Sequence, residues 1–347
     1  MRMLITGGAG LLGSHCAEFY ALSNPQNKVI VLDNLMRSKI FGYDKDSVEF
    51  NWKYLERFQN VELIKGDVRN EKDVARAIGK GVDVVIHAAA QPGVPTSARM
   101  PQEDFSINAL GTLNVLEAAR KKSKNTIVIY CSTNKVYGEN VDKIPLKERK
   151  KRYVYDGSSG VSENMSVDLT GHTLYGVSKL VGDLYAQEYS HIYKMKTAVF
   201  RISCTYGTRQ FGFEDQGWVA WFIVATLFGK TITVNGDGKQ VRDMLYVDDL
   251  VEAIDLFIHS DLKQGLFNIG GGKDNTTSLL EFLEDLKSLI GKSPKVKFAD
   301  WRPSDQRVYV SDTSKLQKTL GWKAKIPLCE GMRRLCAWIQ SNQGFFK

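Results

Sequence analysis

Residues 3–13 read MLITGGAGLLG. A short run of apolar and β-branched residues enters a glycine turn, and residues 13–23 then follow a helical pattern. Gly7, Gly10 and Gly13 stand three residues apart. Between a strand and a helix, the early glycines let the backbone turn tightly and approach a pyrophosphate, and the last lets helix and strand pack closely. The helix N-terminus adds free N–H groups and partial positive charge for the phosphates. Glycine spacing alone is a weak signal, and its strand–turn–helix setting gives it meaning. The turn therefore predicts dinucleotide contacts from Gly7, Gly10, Leu11 and Leu12.

Outward from this turn, short apolar runs alternate with helical patterns. Residues 28–32, 61–65, 82–87 and 126–131 read as strands, and 71–78 and 108–121 as helices. Near-continuous apolar strands separated by helices predict a parallel sheet buried on both faces. Right-handed crossovers then give an α/β fold with a doubly wound, Rossmann-type sheet. Further on, 175–193, 248–259 and 278–290 read as helices and 197–202 and 266–270 as strands. The stretch 205–240 is rich in glycine and aromatic residues. The expected organisation is a dinucleotide-binding domain over 1–204, to which 241–272 returns. Residues 205–240 and 273–347 form a smaller substrate-binding lobe, expected over the carboxyl edge of the sheet.

Asp33 closes the second strand, twenty residues after Gly13. A carboxylate there accepts hydrogen bonds from the adenosine ribose and repels a 2′-phosphate, which favours NAD over NADP. Arg37 would suit such a phosphate, but NAD is the expected cofactor. Asn34 beside Asp33, and Asp67 with Val68 after the third strand, are placed to meet the adenosine half. Ala88, Ala89 and Ala90 follow the fourth strand and are small enough for the dinucleotide to pass.

Tyr175 and Lys179 lie in YGVSK on a predicted helix, so they share one face. An ammonium beside a phenol favours the phenolate, and the positive charge of NAD adds to that. The tyrosine pKa is therefore expected to fall from about 10 toward working pH. Thr133, just beyond the strand that ends at Cys131, can bond the same substrate oxygen. The expected catalytic set is Thr133, Tyr175 and Lys179, the last two also touching the cofactor.

Composition narrows the remaining classes. The net charge is +8, but basic residues are spread along the chain apart from Lys147, Arg149, Lys150, Lys151 and Arg152. That cluster sits in a polar stretch expected to be a solvated loop. No nucleic-acid-reading motif accompanies it, so no nucleic-acid partner is expected. A dianionic nucleotide substrate suits the basic excess equally well. No apolar run reaches the roughly 18–20 residues that cross a bilayer, so no membrane association is expected. The first apolar stretch is short and broken by glycines, unlike an export signal, so a cytoplasmic setting is expected. Cys16, Cys131, Cys204, Cys329 and Cys336 show neither a CxxC pair nor zinc spacing. The five histidines show no HxH or HExxH spacing, and no metal is expected.

TGGAGLLG (6–13), Asp33, HAAA (87–90), TNKVYG (133–138) and YGVSK (175–179) together resemble the extended short-chain dehydrogenase/reductases that act on nucleotide sugars. The resemblance runs over nearly the whole chain. It implies that Thr133, Tyr175 and Lys179 form a triad and that NAD stays bound between turnovers. Sugar dehydratases of this kind carry Asp-Glu directly after the threonine, whereas here Asn134 and Lys135 follow it, which disfavours dehydration. Narrower segments resemble the CDP-paratose 2-epimerases, also called CDP-tyvelose 2-epimerases: STNKVYG (132–138), RQFG (209–212), DQGWV (215–219), GKQVRD (238–243), NIGG (268–271) and SDQRVYVSD (304–312). Ile202 stands where that pattern has a histidine, and 36 residues separate Gly138 from Tyr175.

The reaction so implied inverts C2 of a CDP-hexose without net oxidation. Tyr175 takes the C2 hydroxyl proton as hydride passes to NAD⁺, a 2-keto sugar turns over, and hydride and proton return to the other face. Arg242 and Arg307 are candidates to hold the CDP phosphates, since guanidinium groups bind phosphate oxygens bidentately. Gln210, Gln216 and Trp218 are candidates to line the sugar pocket, and Asn134 and Lys135 to bond sugar hydroxyls. A homodimer or homotetramer, built on helices such as 108–121 and the one carrying Tyr175, is also implied. The alternatives are a UDP-sugar 4-epimerase and a non-catalytic NAD-binding regulator, against which the intact triad argues.

Overall fold

Val29, Ile30, Val31 and Leu32 are fully buried, as are Val84, Val85 and Ile86. Strands this apolar need cover on both faces, and the computed structural model shows helices supplying it. Residues 1–38, 45–123, 125–214, 216–302 and 304–346 are described, without the side chains of 45–48. In chain order the strands are β1 (Arg2–Thr6), β2 (Lys28–Asp33), β3 (Val61–Lys65), β4 (Val84–His87), β5 (Ile127–Thr133), β6 (Leu146–Glu148), β7 (Tyr153–Tyr155), β8 (Thr197–Ile202), β9 (Cys204–Tyr206), β10 (Thr231–Asn235), β11 (Val241–Tyr246), β12 (Gln264–Ile269), β13 (Thr276–Ser278), β14 (Lys295–Ala299) and β15 (Val308–Tyr309). The helices are α1 (Leu11–Ser23), α2 (Lys45–Leu55), α3 (Glu71–Ile78), α4 (Val94–Arg99), α5 (Pro101–Phe105), α6 (Gly111–Lys122), α7 (Leu174–Tyr193), α8 (Trp218–Phe228), α9 (Val247–Ile258), α10 (Leu279–Ile290), α11 (Ser314–Leu320) and α12 (Leu328–Ser341).

One compact unit comprises residues 1–136, 174–201 and 251–267. Its seven-stranded sheet runs β12-β8-β5-β4-β1-β2-β3. β1 pairs in parallel with β2 and β4, Met3 lying opposite Val29 and Val84. Strand order reverses between β1 and β4, so the glycine turn leaves the sheet at the switch point where α/β folds bind ligands. Leu4, Ile30, Val74, Val85, Val115 and Val128 pack into one core on a face of the sheet.

The second unit comprises residues 137–173, 202–250 and 268–347. This division differs from the expected one over 1–204 and 241–272. β11 pairs with β9, β13 and β15 instead of joining the large sheet, which draws residues up to 250 into the second unit. Residues 137–173 join it through the bond from the Tyr137 hydroxyl to Asn268 Oδ1 at 2.7 Å and the bridge between Val161 and Ser311. Within 205–240 the chain forms β9, the apolar helix α8 and β10. Gly217 and Gly229, both left-handed, flank α8. The basic stretch is not a free loop either: β6 and β7 form an antiparallel hairpin there. Lys151 meets Glu284 at 2.6 Å and Arg152 meets Glu281 at 3.1 Å, both on α10. Among the described residues, no helix is long and apolar enough to cross a membrane.

Candidate active site

At Gly7 and Gly13 the turn after β1 has no room for a side chain. Gly7 adopts φ +71°, and a β-carbon on it would lie 2.6 Å from Ala89 Cα. A β-carbon on Gly13 would overlap the Gly7 carbonyl oxygen. Gly10 begins α1 with no side-chain cap and no acidic residue in the first turn. The leading N–H groups, those of Leu11 and Leu12 included, therefore point out of the helix without a counter-charge. Asp33 sits half-buried at the end of β2. Its Oδ2 accepts the Ala9 N–H at 2.9 Å and its Oδ1 the Leu35 N–H at 2.8 Å. Burial raises its pKa, and these two bonds oppose that shift.

Asn34 donates to Asp67 Oδ2 at 2.9 Å. Burial works to raise the Asp67 pKa, but the Arg69 guanidinium and backbone N–H outweigh it and hold the carboxyl below its ordinary value. Ala88 and Ala89 cross directly behind Gly7. Val68 differs from its neighbours here. Its side chain belongs to the core, so only its backbone can meet a ligand. A narrow glycine floor, uncapped helix N–H groups and a carboxylate at the second strand end form a cradle that fits a dinucleotide.

The first unit also assembles the expected triad. Thr133 ends β5, is buried, and hydrogen-bonds the Tyr175 phenol. Tyr175 lies in the first turn of α7, where its N–H is capped by Ser97 Oγ at 3.1 Å. Lys179 follows one turn later, 2% exposed, with Nζ 4.3 Å from the Tyr130 ring centre. Its pKa is brought down to about 8 by burial, against the pull of Cys131, Asp183 and Asp104. The tyrosine pKa does not fall as expected. Burial pushes it up to about 12, Thr133 opposes this, and Asp104 adds to it. Desolvation of the phenol outweighs the hydrogen bond from Thr133.

Thr133 Oγ1 donates to Asn134 Oδ1 at 3.3 Å, and the Lys135 N–H reaches Thr133 Oγ1 at 3.3 Å. The turn after the threonine is thus an amide and an amine. His87 is fixed between Thr6 (2.6 Å) and Thr112 (3.0 Å). Burial, with Lys179 adding to it, lowers its pKa to about 3, so it is neutral at working pH.

The second unit holds the expected substrate contacts. Arg242 Nη2 lies 2.8 Å from Asp305 Oδ1. Arg307 is exposed, between the Tyr153 and Trp301 rings at 5.5 and 5.8 Å. A cavity of about 850 Å³ in this unit is lined by Trp301, Arg302, Arg307, Lys143, Glu139 and Asp305 among others. Trp301 and Arg302 were not singled out from the sequence, although only one residue separates them from the SDQRV segment. Gln210 is buried and its Nε2 reaches Thr205 O at 3.5 Å. Gln216 is half-buried, its backbone bonded to that of Phe213. Trp218 packs on Phe282 and Phe222 and donates to Cys204 Sγ at 3.0 Å, so it is at least in part a packing residue. Asp215, within DQGWV, lies outside the described residues.

Fold and cradle define a Rossmann-type dinucleotide enzyme. The sequence pattern of the NAD dependent epimerase/dehydratase family matches residues 3–270, and the chain belongs to that family. NAD is its cofactor. A CDP-paratose 2-epimerase of Salmonella typhi is 38% identical over 98% of this chain and 100% of that protein. Among solved structures, the UDP-glucuronic acid 4-epimerase of Bacillus cereus, in complex with UDP-glucuronic acid and NAD, matches with a TM-score of 0.83 and 27% identity, covering 99% of this chain and 100% of that one. The UDP-glucose 4-epimerase of Thermus thermophilus, in complex with NAD, matches with a TM-score of 0.80 and 31% identity over 98% of this chain and 99% of that one.

Proposed function

We propose that this protein inverts C2 of a CDP-hexose, of the CDP-paratose to CDP-tyvelose type, through a transient 2-keto sugar. At the coarser level it is an NAD-dependent nucleotide-sugar epimerase. The observation that carries the reading is the turn after Thr133. Asn134 and Lys135 stand where elimination of water would need a carboxylic acid and base. The choice of C2 and of CDP rests on the RQFG, DQGWV and SDQRV segments and on the Salmonella relative.

Gly7, Gly10, Leu11, Leu12, Asp33, Asn34, Asp67, Val68 and Ala88 to Ala90 would hold NAD. When bound, NAD supplies a hydride acceptor that later returns the hydride, so the sugar shows no net oxidation. Tyr175 takes the C2 hydroxyl proton and gives it back. Thr133 holds the same oxygen. Lys179 keeps a positive charge beside the phenol, and the charge of the oxidised cofactor adds to it, bringing the tyrosine down from about 12. The ring must turn while the nucleotide stays fixed. Arg242 and Arg307 are assigned to its phosphates, and the cavity lined by Trp301 and Arg302 offers an aromatic face and a further guanidinium. The five free cysteines suit a reducing, cytoplasmic setting. A second copy of the chain is assigned to the apolar outer face of α7.

The test is incubation with CDP-paratose, CDP-tyvelose, UDP-glucose and GDP-mannose, with products read by NMR. Interconversion of the first two is expected. Inversion at C4 alone would make the protein a 4-epimerase, which its likeness to the two UDP-sugar 4-epimerase structures makes the competing outcome. Tyr175→Phe should lose on the order of 10³-fold or more in rate while retaining NAD. Near-normal turnover would remove Tyr175 from its role.

A further inference from the structure

Neither the cradle nor the triad gives a task to the buried carboxyl of Asp104. Asp104 lies on the short helix α5 and is 1% exposed. A carboxylate buried this deeply is costly unless something holds it. Gln91 Nε2 donates to its Oδ1 at 2.7 Å and Asn108 Nδ2 at 3.1 Å, and the Ser178 hydroxyl bonds it as well. Gln91 and Asn108 also grip each other, through the Gln91 N–H to Asn108 Oδ1 at 2.9 Å and Asn108 Nδ2 to Gln91 O at 3.0 Å. Asn108 sits in a π-turn over Ser106–Leu110, a local widening that turns its side chain toward α7. Ser178 Oγ receives Asn108 Nδ2 at 3.0 Å, and its one proton serves the Asp104 carboxylate. Ser178 directly precedes Lys179. The carboxylate is therefore joined to the helix turn that carries both candidate proton-handling residues.

We propose that Asp104 is a positioning residue for the reaction. Its carboxylate, clamped by Gln91, Asn108 and Ser178, seats the first turns of α7 and places a negative charge that Tyr175 and Lys179 both feel. The inference rests on the acid–base reading of those two residues. The charge acts on both, raising the pKa of the phenol and of the ammonium. The other ionisable groups around the pair are His87 on β4, Tyr130 and Cys131 on β5, and Asp183 on α7, itself bridged to Arg201 on β8. His87 titrates near 3 and Cys131 near 12, and Tyr130 is pushed well above its ordinary range. None of these three changes charge in the working range.

Removing a negative charge lowers the pKa of a neighbouring phenol and of a neighbouring ammonium alike. In Asp104→Asn and Asp104→Ser, both limbs of the pH profile of kcat should therefore move to lower pH, by ~0.5 unit or more. The plateau should fall by roughly ten-fold, with KM for the nucleotide sugar within about two-fold of wild type. A merely structural role would lower the plateau and leave both limbs in place. Limbs that stay, or move up, overturn the proposal. Ser178→Ala keeps the charge but cuts its tie to α7. Turnover should fall several-fold there with the limbs unmoved, and unchanged turnover overturns the seating role. Retained NAD shows that each variant is folded. Tyr175→Phe is run alongside. If it turns over normally, the underlying acid–base reading fails; if it is dead while the Asp104 variants keep wild-type limbs, this inference alone fails.

Discussion

A methyl group at residue 13 has no space to occupy. Its carbon would overlap the Gly7 carbonyl oxygen and stand 2.7 Å from Gly8 Cα, both of them backbone atoms that cannot swing aside. Gly13→Ala must lift α1 off the turn, at a cost of about 1–3 kcal/mol. The N–H groups proposed to face the pyrophosphate would move with it. We expect NAD affinity, measured by calorimetry on protein stripped of cofactor, to drop by at least ~10-fold. Gly10→Ala is the control. Gly10 has φ −78°, and its added carbon would lie 3.1 Å from the Gly7 oxygen, a contact that a small shift relieves. Equal losses in the two variants would mean that packing at Gly13 is not what shapes the cradle. The same sterics explain why the cofactor turn was legible in the sequence: only glycine fits at positions 7 and 13, so residue identity carries the geometry. Asp104 was not legible for the opposite reason. An aspartate on a polar-looking stretch reads as solvent-exposed, and only tertiary packing takes it to 1% exposure.

α7 owes its seat to more than the Asp104 clamp. Gly182 lets the Tyr130 ring lie against the helix, since a β-carbon there would fall 2.6 Å from Tyr130 Cζ. One residue on, Asp183 is fully buried and accepts Arg201 Nε at 2.9 Å and Nη2 at 3.1 Å. It also accepts Ser132 Oγ at 2.7 Å, next to Thr133. One carboxylate thus ties α7 to β5 and β8. Asp183→Ala would strand the Arg201 charge in the core and cost about 3–5 kcal/mol, visible as a lower midpoint in urea unfolding. A loss under about 1 kcal/mol would show that Arg201 escapes to water. α7 was readable because its apolar residues recur at the helical period, and the strands of the large sheet because they are short, near-continuous apolar runs. α8 was not. WVAWFIVATLF is apolar on every side, so it has no period to read. The β6–β7 hairpin was hidden too, because its lysines and arginines find their carboxylates on α10, more than a hundred residues away.

Opposite the buried face of α7 lies a surface that water does not suit. Leu174, Val177, Leu184, Tyr185 and Ile192 are each more than 40% exposed along one helix. Phe105 and Leu110, just before α6, add to the exposed apolar area of the same unit. α6 and α7 are joined by the Tyr189 hydroxyl on Glu117 at 2.7 Å, so the two helices present a stiff surface. Contiguous apolar area of this kind marks an association site. The proposed second copy would sit on it through a two-fold axis, which would set the same helices against each other and let one stripe cover its twin. Such an interface needs roughly 1,000 Å² or more of buried surface to persist at micromolar concentration. Light scattering behind size exclusion should give at least twice the chain mass for the native protein, and its Tm should rise with protein concentration. Val177→Glu combined with Leu184→Glu puts two like charges beside their symmetry mates. That variant should run as a monomer with a Tm independent of concentration. Because the changed side chains face away from Tyr175 and Lys179, the monomer should keep its NAD. A native protein that elutes as a monomer would refute the assignment, as would a double variant that still pairs.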